Sequence, residues 1–281
     1  MFQKKRYLLP IFTILLPCLL GTMTMIMKDV PLKIWIQNIS VTILLSFLTV
    51  YLSKLKIHWN SKWIILASVL LLLLPFLQTG AEGIHRWIRV AGISLNSSMI
   101  ILPTGIIAIY QLLKGRQNTV AFISILVISL TLLFQPDASQ LTGFSLAILP
   151  CLYNSKMNTL VKAMTGIFLS TLTVLAWIFL DSLPPVNYSE GILIMMGELS
   201  SGLYFLGIVT LFLIPVGFFA RFSKHKYLHI SIVLYYWGIS LSAFWGNFPV
   251  PVIGYGISPI IGYFIVLLWY HTEKENSPSQ N

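Results

Sequence analysis

Uncharged apolar runs long enough to cross a bilayer recur along the whole chain, and this feature limits the fold more than any other. A helix needs about 20 predominantly apolar residues to span the hydrocarbon core. A soluble domain carries roughly 25% charged residues. Here 9% of 281 residues are charged and 57% are apolar, and the mean hydropathy is +0.84. Inside a bilayer every backbone polar group must be satisfied by a helix or a closed barrel. No strand-like alternation appears, which argues against a barrel. The expected fold is therefore all-α: a polytopic integral membrane protein of about ten transmembrane helices, one membrane domain over residues 1–281, with no soluble module.

The expected spans are Tyr7–Met27, Ile34–Leu52, Trp63–Gln78, Ser97–Leu113, Val120–Phe134, Leu141–Tyr153, Leu160–Leu180, Ile192–Ala220, Leu228–Trp245 and Val252–Tyr270. The first has a basic start like a signal peptide. It lacks an obvious small-x-small cleavage site and another span follows, so it reads as an uncleaved helix. Pro75, Pro103, Pro150, Pro215 and Pro259 lie inside spans. Each removes a backbone donor and kinks its helix, which makes room for a cavity but is common in membrane helices. Cys18 and Cys151 sit in apolar runs and read as buried thiols.

Charge placement sets the orientation. With the N-terminus in the cytoplasm, the inner segments hold Lys4, Lys5, Arg6, Lys54, Lys56, Lys62, Lys114, Arg116, Lys156, Lys162, Arg221, Lys224, Lys226 and Lys274, which is 14 of the 18 Lys and Arg. Only Lys28, Lys33, Arg86 and Arg89 fall outside. The positive-inside rule demands this asymmetry. It explains the net charge of +10 as topology rather than nucleic-acid binding. Both termini are then cytoplasmic.

The outer face receives four polar loops: Thr79–Leu95, Phe134–Gln140, Asp181–Gly191 and Gly246–Pro251. The first is the most polar, with His85, Arg86 and Arg89 around Trp87 and with Gly80, Gly83 and Gly92 to bend the backbone. Guanidinium forks fit phosphate oxygens bidentately, so a phosphate-bearing lipid headgroup suits this loop. The inner connectors are short and basic. No P-loop, G-x-G-x-x-G, zinc spacing or Ser/His/Asp arrangement is present, and no transporter-like internal repeat.

Four separated stretches together resemble the SEDS family of shape, elongation, division and sporulation proteins. Arg86-Trp87-Ile88-Arg89-Val90 through Ser94-Leu95 follows the family's outer loop, R-R-W-I-R-L-G-P-L-S-F. Gln135-Pro136-Asp137 follows its Q-P-D. Leu183-Pro184 through Ser189-Glu190, then Glu198-Leu199, follows its L-P-E-x-x-T-D and E-L. Val250-Pro251 through Gly254-Tyr255-Gly256-Ile257-Ser258 follows its L-P-F-I-S-Y-G-G-S. The resemblance covers about residues 63–270. The departures are specific. The family's P-S-E is Ser97-Ser98-Met99, its outer-loop aspartate falls on Ser189, its second glycine is Ile257, and the loop before the eighth span is much shorter.

The resemblance implies a protein of the bacterial cytoplasmic membrane, active in peptidoglycan synthesis, division or shape control. Its ligand would be an undecaprenyl-linked glycan precursor, lipid II, at the outer face, and its protein partner a penicillin-binding transpeptidase. Polymerisation needs a carboxylate base near the acceptor hydroxyl and donors on the diphosphate leaving group. Glu190 is the candidate base, one residue from the family's aspartate; its structural alternatives are an exposed loop acid and an acid favoured by the dipole at a helix N-terminus. Arg86, Arg89 and His85 are the candidate diphosphate ligands, or else interface anchors beside Trp87. Asp137 and Gln140 read as a capping-box variant. Glu198, an acid inside a span, faces a cavity or a partner. Trp87 and Tyr255 read as cavity or packing residues, and Trp35, Trp63 and Trp245 as boundary anchors. No metal ligand set is evident, and a divalent cation is the one cofactor the chemistry suggests. The departures point toward reduced or lost catalysis. The competing classes are a lipid-linked precursor transporter, which needs polar residues such as Gln37, Asn38 and Glu198 along a path, and a structural membrane subunit.

Overall fold

The computed structural model describes residues 5–80, 82–181, 183–221 and 225–275. Eleven helices account for most of them: α1 Lys5–Met27, α2 Leu32–Leu52, α3 Ser61–Leu73, α4 Ser97–Lys114, α5 Asn118–Phe134, α6 Ala138–Asn154, α7 Thr159–Ile178, α8 Ile192–Leu199, α9 Ser201–Leu213, α10 Lys226–Trp245 and α11 Ser258–Glu275. Tight 3₁₀ turns extend α3 over Leu74–Leu77 and α9 over Ile214–Arg221. Pro75 lies inside the first of these turns and Pro215 inside the second, so each helix tightens where a proline removes a donor.

Among the described residues, six helices are long and apolar enough to cross a membrane: Leu8–Met27, Leu32–Leu52, Ser97–Lys114, Thr159–Ile178, Ser201–Phe218 and Lys226–Trp245. Ser61–Leu77 and Asn118–Phe134 are shorter apolar helices. The exposed surface agrees with a membrane setting. Leu44, Phe47 and Tyr51 on α2, and Leu160, Ile167 and Ile178 on α7, are exposed. A soluble surface rarely carries such continuous apolar faces, whereas hydrocarbon accepts them.

The interior is built on close helix approaches. α6 and α10 cross at Gly143 and Gly238, where a Cβ on Gly238 would lie 2.8 Å from the Gly143 Cα. α11 passes α4 at Gly262, where a Cβ would lie 2.2 Å from the Met99 carbonyl oxygen. Small residues permit such approaches, and close packing drives association where lipid and side chain are equally apolar. α4 is the most enclosed of the long apolar helices, with Leu102, Ile106, Ile107 and Ile109 fully buried.

The polar contacts of the loops gather at two ends of the bundle. At one end Lys28 meets Glu198, Arg86 meets Pro136 and Asp181, and Asn247 donates to the Leu183 carbonyl at 3.2 Å. At the other, the Trp59 indole donates to Thr272 at 2.7 Å, Ser61 donates to Gln111 at 2.7 Å, and His225 lies 3.8 Å from Glu273.

Three local features differ from the sequence reading. Trp87–Val90 and Ile93–Asn96 form an antiparallel hairpin, β1 and β2, where only a loop was expected. The stretch 192–220, expected as one span, is parted at Ser200, whose extended backbone (φ −167°, ψ 138°) ends α8 and caps α9. The last helix starts at Ser258 rather than Val252, and residues 250–257 form a folded loop at the site end.

Candidate functional site

The hairpin orders the cationic loop. Ala91 and Gly92 both have positive φ, 49° and 81°, the requirement of a two-residue type I′ turn, whose twist matches that of the paired strands. The register places Trp87 opposite Asn96 and Arg89 opposite Ser94. Strand alternation therefore collects these four on one face and Ile88, Val90, Ile93 and Leu95 on the other. The polar face looks into the site. Trp87, Arg89 and Ser94 line a cavity of about 340 Å³ together with Arg86, Asp181 and Glu190.

Arg86, just before β1, is almost wholly buried, with 2% of its side chain exposed. Its guanidinium donates to the Asp181 carboxylate and to the Pro136 carbonyl. It also lies 5.2 Å from the Phe248 ring centre and 5.8 Å from that of Trp87, within the range of cation–π attraction. Its Nε has no hydrogen-bond partner among the described residues. Arg86 thus touches all four polar loops: its own, the turn before α6, the segment after α7 and, through Phe248, the segment after α10.

Arg89 differs from Arg86. Its side chain is exposed, and no carboxylate pairs with it among the described residues. Its backbone is fixed instead: its N–H donates to the Gln78 side chain at 2.9 Å. His85 lies against the end of α3, its Nδ1 3.2 Å from the Pro75 carbonyl oxygen and its ring stacked on Phe76 at 5.2 Å. It does not line any of the three cavities of this site.

The loop before α8 is a tight turn docked onto the loop before α11. The N–H groups of Ser189 and Gly191 both donate to the Val186 carbonyl, at 2.9 and 3.2 Å. Tyr255 N–H donates to the Tyr188 carbonyl at 2.8 Å, and the two rings meet edge to face. Gly254 is required for this contact, since a Cβ there would lie 2.4 Å from the Ser189 carbonyl oxygen. Asn38 on α2 clasps the same loop, donating to the Gly254 carbonyl at 2.8 Å and accepting from Gly256 N–H at 3.1 Å. Ser189 is buried, and its hydroxyl donates to the Tyr255 carbonyl at 3.3 Å.

Glu190 is the junction of the site. It lines the 340 Å³ cavity, a second of about 190 Å³ with Trp87, Tyr188 and Tyr255, and a third of about 540 Å³ with Lys28 and Glu198. Its carboxylate accepts from Val186 N–H at 2.9 Å. Burial pushes its pKa above the ordinary 4.5, against the opposing pull of the Val186 N–H bond and of Arg86.

Asp137 caps α6, accepting from Gln140 N–H at 3.2 Å. It also accepts from the Asn96 amide and the Ser98 hydroxyl, both at 3.3 Å. Asn96 caps α4 through Met99 N–H and takes the Ser258 hydroxyl on its own N–H at 2.9 Å. Asp137 is thus a buried brace joining α4, α6 and the start of α11. Glu198 does not face the bundle interior. It sits at the end of α8, 58% exposed, 2.7 Å from the Lys28 ammonium.

The arrangement therefore brings Arg86, Trp87, Arg89, Glu190 and Tyr255 around connected cavities, and holds Asp137 and His85 aside in structural contacts. Sequence reasoning gave no role to Asp181, Asn96 or Lys28. Asp181 is an acid directly after a span, and that outer position was its only signal. Among the described residues, no group of three or more His, Cys, Asp or Glu side chains is placed to hold a metal ion. No family model, no curated protein and no solved structure matches the chain.

Proposed function

We propose that this is a SEDS-like protein of the bacterial cytoplasmic membrane that holds a lipid-linked glycan diphosphate, such as lipid II, in the cleft around Glu190. The observation that carries the reading is convergence. Four stretches far apart in sequence bear the family-like motifs, and all four meet at one end of the bundle, through Arg86, Asp137, Glu190 and Tyr255. A ten-crossing topology with both termini cytoplasmic accompanies it. Its support is the grouping of the loops at two ends of the bundle and the concentration of Lys and Arg in alternate expected connections.

In this reading Arg89 is the phosphate ligand, because its guanidinium is exposed beside the cavity and no carboxylate pairs with it among the described residues. Arg86, neutralised by Asp181, braces the loops that shape the cleft rather than contacting the diphosphate. Glu190 is the base toward a sugar hydroxyl. Its raised proton affinity brings it nearer the working pH, which is the useful direction for a general base. Ser189 cannot take the role of the family's aspartate, since its hydroxyl is buried and engaged with Tyr255. That observation favours a second reading, a precursor-holding member without polymerase activity, acting beside a transpeptidase. A transporter is disfavoured because Asn38 is committed to the backbone of residues 254–256 rather than to a polar path.

The test is a polymerisation assay. The purified chain is given labelled lipid II and a divalent cation, with and without a co-purified transpeptidase, and glycan strands are resolved on a gel. Strands that vanish with Glu190→Gln establish the polymerase. Saturable lipid II binding without strands, weakened by Arg89→Ala, establishes the holding role. Neither strands nor binding refutes both and leaves a structural subunit.

A further inference from the structure

The largest of the three cavities is not needed for the diphosphate reading, and its lining is unlike that of the other two. It lies between α8 and the end of α10, about 540 Å³ in volume. Its rim carries exposed apolar side chains, Ile194 at 68% and Trp245 at 71%, with Phe244 beside them. Its wall is polar, with Asn187, Asn247 and Glu190. At its edge, Lys28 from the end of α1 and Glu198 from the end of α8 form an ion pair 2.7 Å long. An apolar mouth, a polar wall and an ion pair at its edge describe a slot for an amphiphile.

We propose that this cleft binds a zwitterionic aminophospholipid of the surrounding leaflet, its phosphate on Lys28 and its ammonium on Glu198. Charge complementarity selects this headgroup. A phosphate and an ammonium a few atoms apart exchange partner for partner with the ion pair, so neither protein charge is left unmatched. An anionic headgroup would satisfy Lys28 but leave its phosphate facing Glu198 and Glu190. A quaternary ammonium carries the charge but has no N–H to donate. The pair itself is half-exposed, and such pairs cost little to open. The acyl chains would run out past Ile194, Phe244 and Trp245, where the aromatic rings suit the interfacial level. The site stands whether or not the adjoining cavities take a glycan diphosphate, since it uses Lys28 and Glu198 rather than Arg89.

The experiment is native mass spectrometry of the full chain in mild non-ionic detergent. Phosphatidylethanolamine, phosphatidylglycerol and phosphatidylcholine with identical acyl chains are titrated in turn. Phosphatidylethanolamine is expected to bind roughly tenfold more tightly than the other two, the value of one charge-assisted hydrogen bond. Lys28→Gln and Glu198→Gln should each abolish that preference, while Lys54→Gln, at the opposite end of the bundle, should leave it intact. Melting curves on the same samples check that the variants stay folded. Equal affinity for the three headgroups, or a preference that survives either substitution at the pair, overturns the proposal. So does displacement of the lipid by soluble phosphoethanolamine at the lipid's own concentration, which would leave the apolar mouth without a role.

Discussion

Asp181→Ala is the sharpest perturbation of this site, because it strands a buried cation. Arg86 and Asp181 are 2% and 7% exposed. Removing one member of a buried pair costs about 3–5 kcal/mol, since the other is left uncompensated. Two effects move the figure within that range. The guanidinium keeps the Pro136 carbonyl and the faces of Phe248 and Trp87, which softens the loss by about 1 kcal/mol. Alanine also gives up the bond that Asp181 accepts from Leu183 N–H at 3.1 Å, which adds about 1 kcal/mol. The expected cost is therefore about 4 kcal/mol for Asp181→Ala and about 3 kcal/mol for Asp181→Asn, whose single amide oxygen keeps only one of the two contacts that the carboxylate oxygens accept. Arg86→Met with Asp181→Leu removes both charges and should cost less than Asp181→Ala alone. The assay is equilibrium unfolding in mixed micelles of rising denaturing-detergent fraction, followed by circular dichroism and run as a double-mutant cycle. A cost below about 1 kcal/mol for Asp181→Ala, or a double variant equal to the sum of its singles, would refute the buried-pair account and return Arg86 to the pool of free phosphate ligands.

Other perturbations separate packing from chemistry. Asn38→Ala leaves the Gly254 carbonyl and Gly256 N–H without partners and should cost about 1–3 kcal/mol in the same unfolding assay; no change would mean that water replaces the clasp. Gly21→Ala places a Cβ 2.0 Å from the Ile253 carbonyl oxygen and should cost more than the usual 1–3 kcal/mol of overpacking. Gly83→Ala, at φ +81° in open space, should cost only about 1 kcal/mol of backbone strain; equal effects would contradict the packing of α1 against the loop before α11. For Glu190 the folded pKa is raised above the ordinary 4.5, so the proton is bound more tightly in the fold than in the unfolded chain. Its contribution to stability is full below pH 4.5 and is lost as pH rises through the raised value. Glu190→Gln should flatten that part of the stability–pH curve, and an unchanged slope would show that Glu190 is not its source.

Most of the helical frame was legible because its signal is local. An apolar window of 18 or more residues has few alternatives in a bilayer, and the expected spans fall on the helices in order from α1 to α11. What escaped depends on distant partners or on weak local chemistry. The hairpin was invisible because Ala91-Gly92 is a poor advertisement for a type I′ turn beside Asn-Gly or Asp-Gly. The break at Ser200 was invisible because Ser200, Ser201 and Gly202 interrupt an apolar run without charge or proline. The pairing of Arg86 with Asp181 spans 95 residues, and no local rule connects them. Asp137 was legible as a cap from its spacing to Gln140, but its bonds to Asn96 and Ser98 required the third dimension.

The two arginines of the hairpin loop show why motif and mechanism must be separated. On sequence alone Arg86 and Arg89 are equivalent, three residues apart around one tryptophan. The fold divides them. Strand alternation and the turn at Ala91-Gly92 leave the Arg89 guanidinium exposed, while the chain entering β1 drives Arg86 beneath the loops, where Asp181 neutralises it. A buried charge that is already neutralised contributes geometry more than ligand affinity, because drawing it away from its partner costs several kcal/mol. An exposed guanidinium gives up only hydration when it meets a phosphate. The prediction follows for the pair. Arg89→Ala should weaken binding of a lipid diphosphate by roughly tenfold, as one charge-assisted contact is worth, with little change in unfolding. Arg86→Ala should do the reverse, lowering stability by about 3 kcal/mol or more and affecting binding only as the loops lose their brace. Binding titrations and unfolding curves on the two variants, measured side by side, decide it: equal losses of affinity with unchanged stability in both would show that the guanidiniums act together on the ligand and that Asp181 releases Arg86 when the ligand arrives.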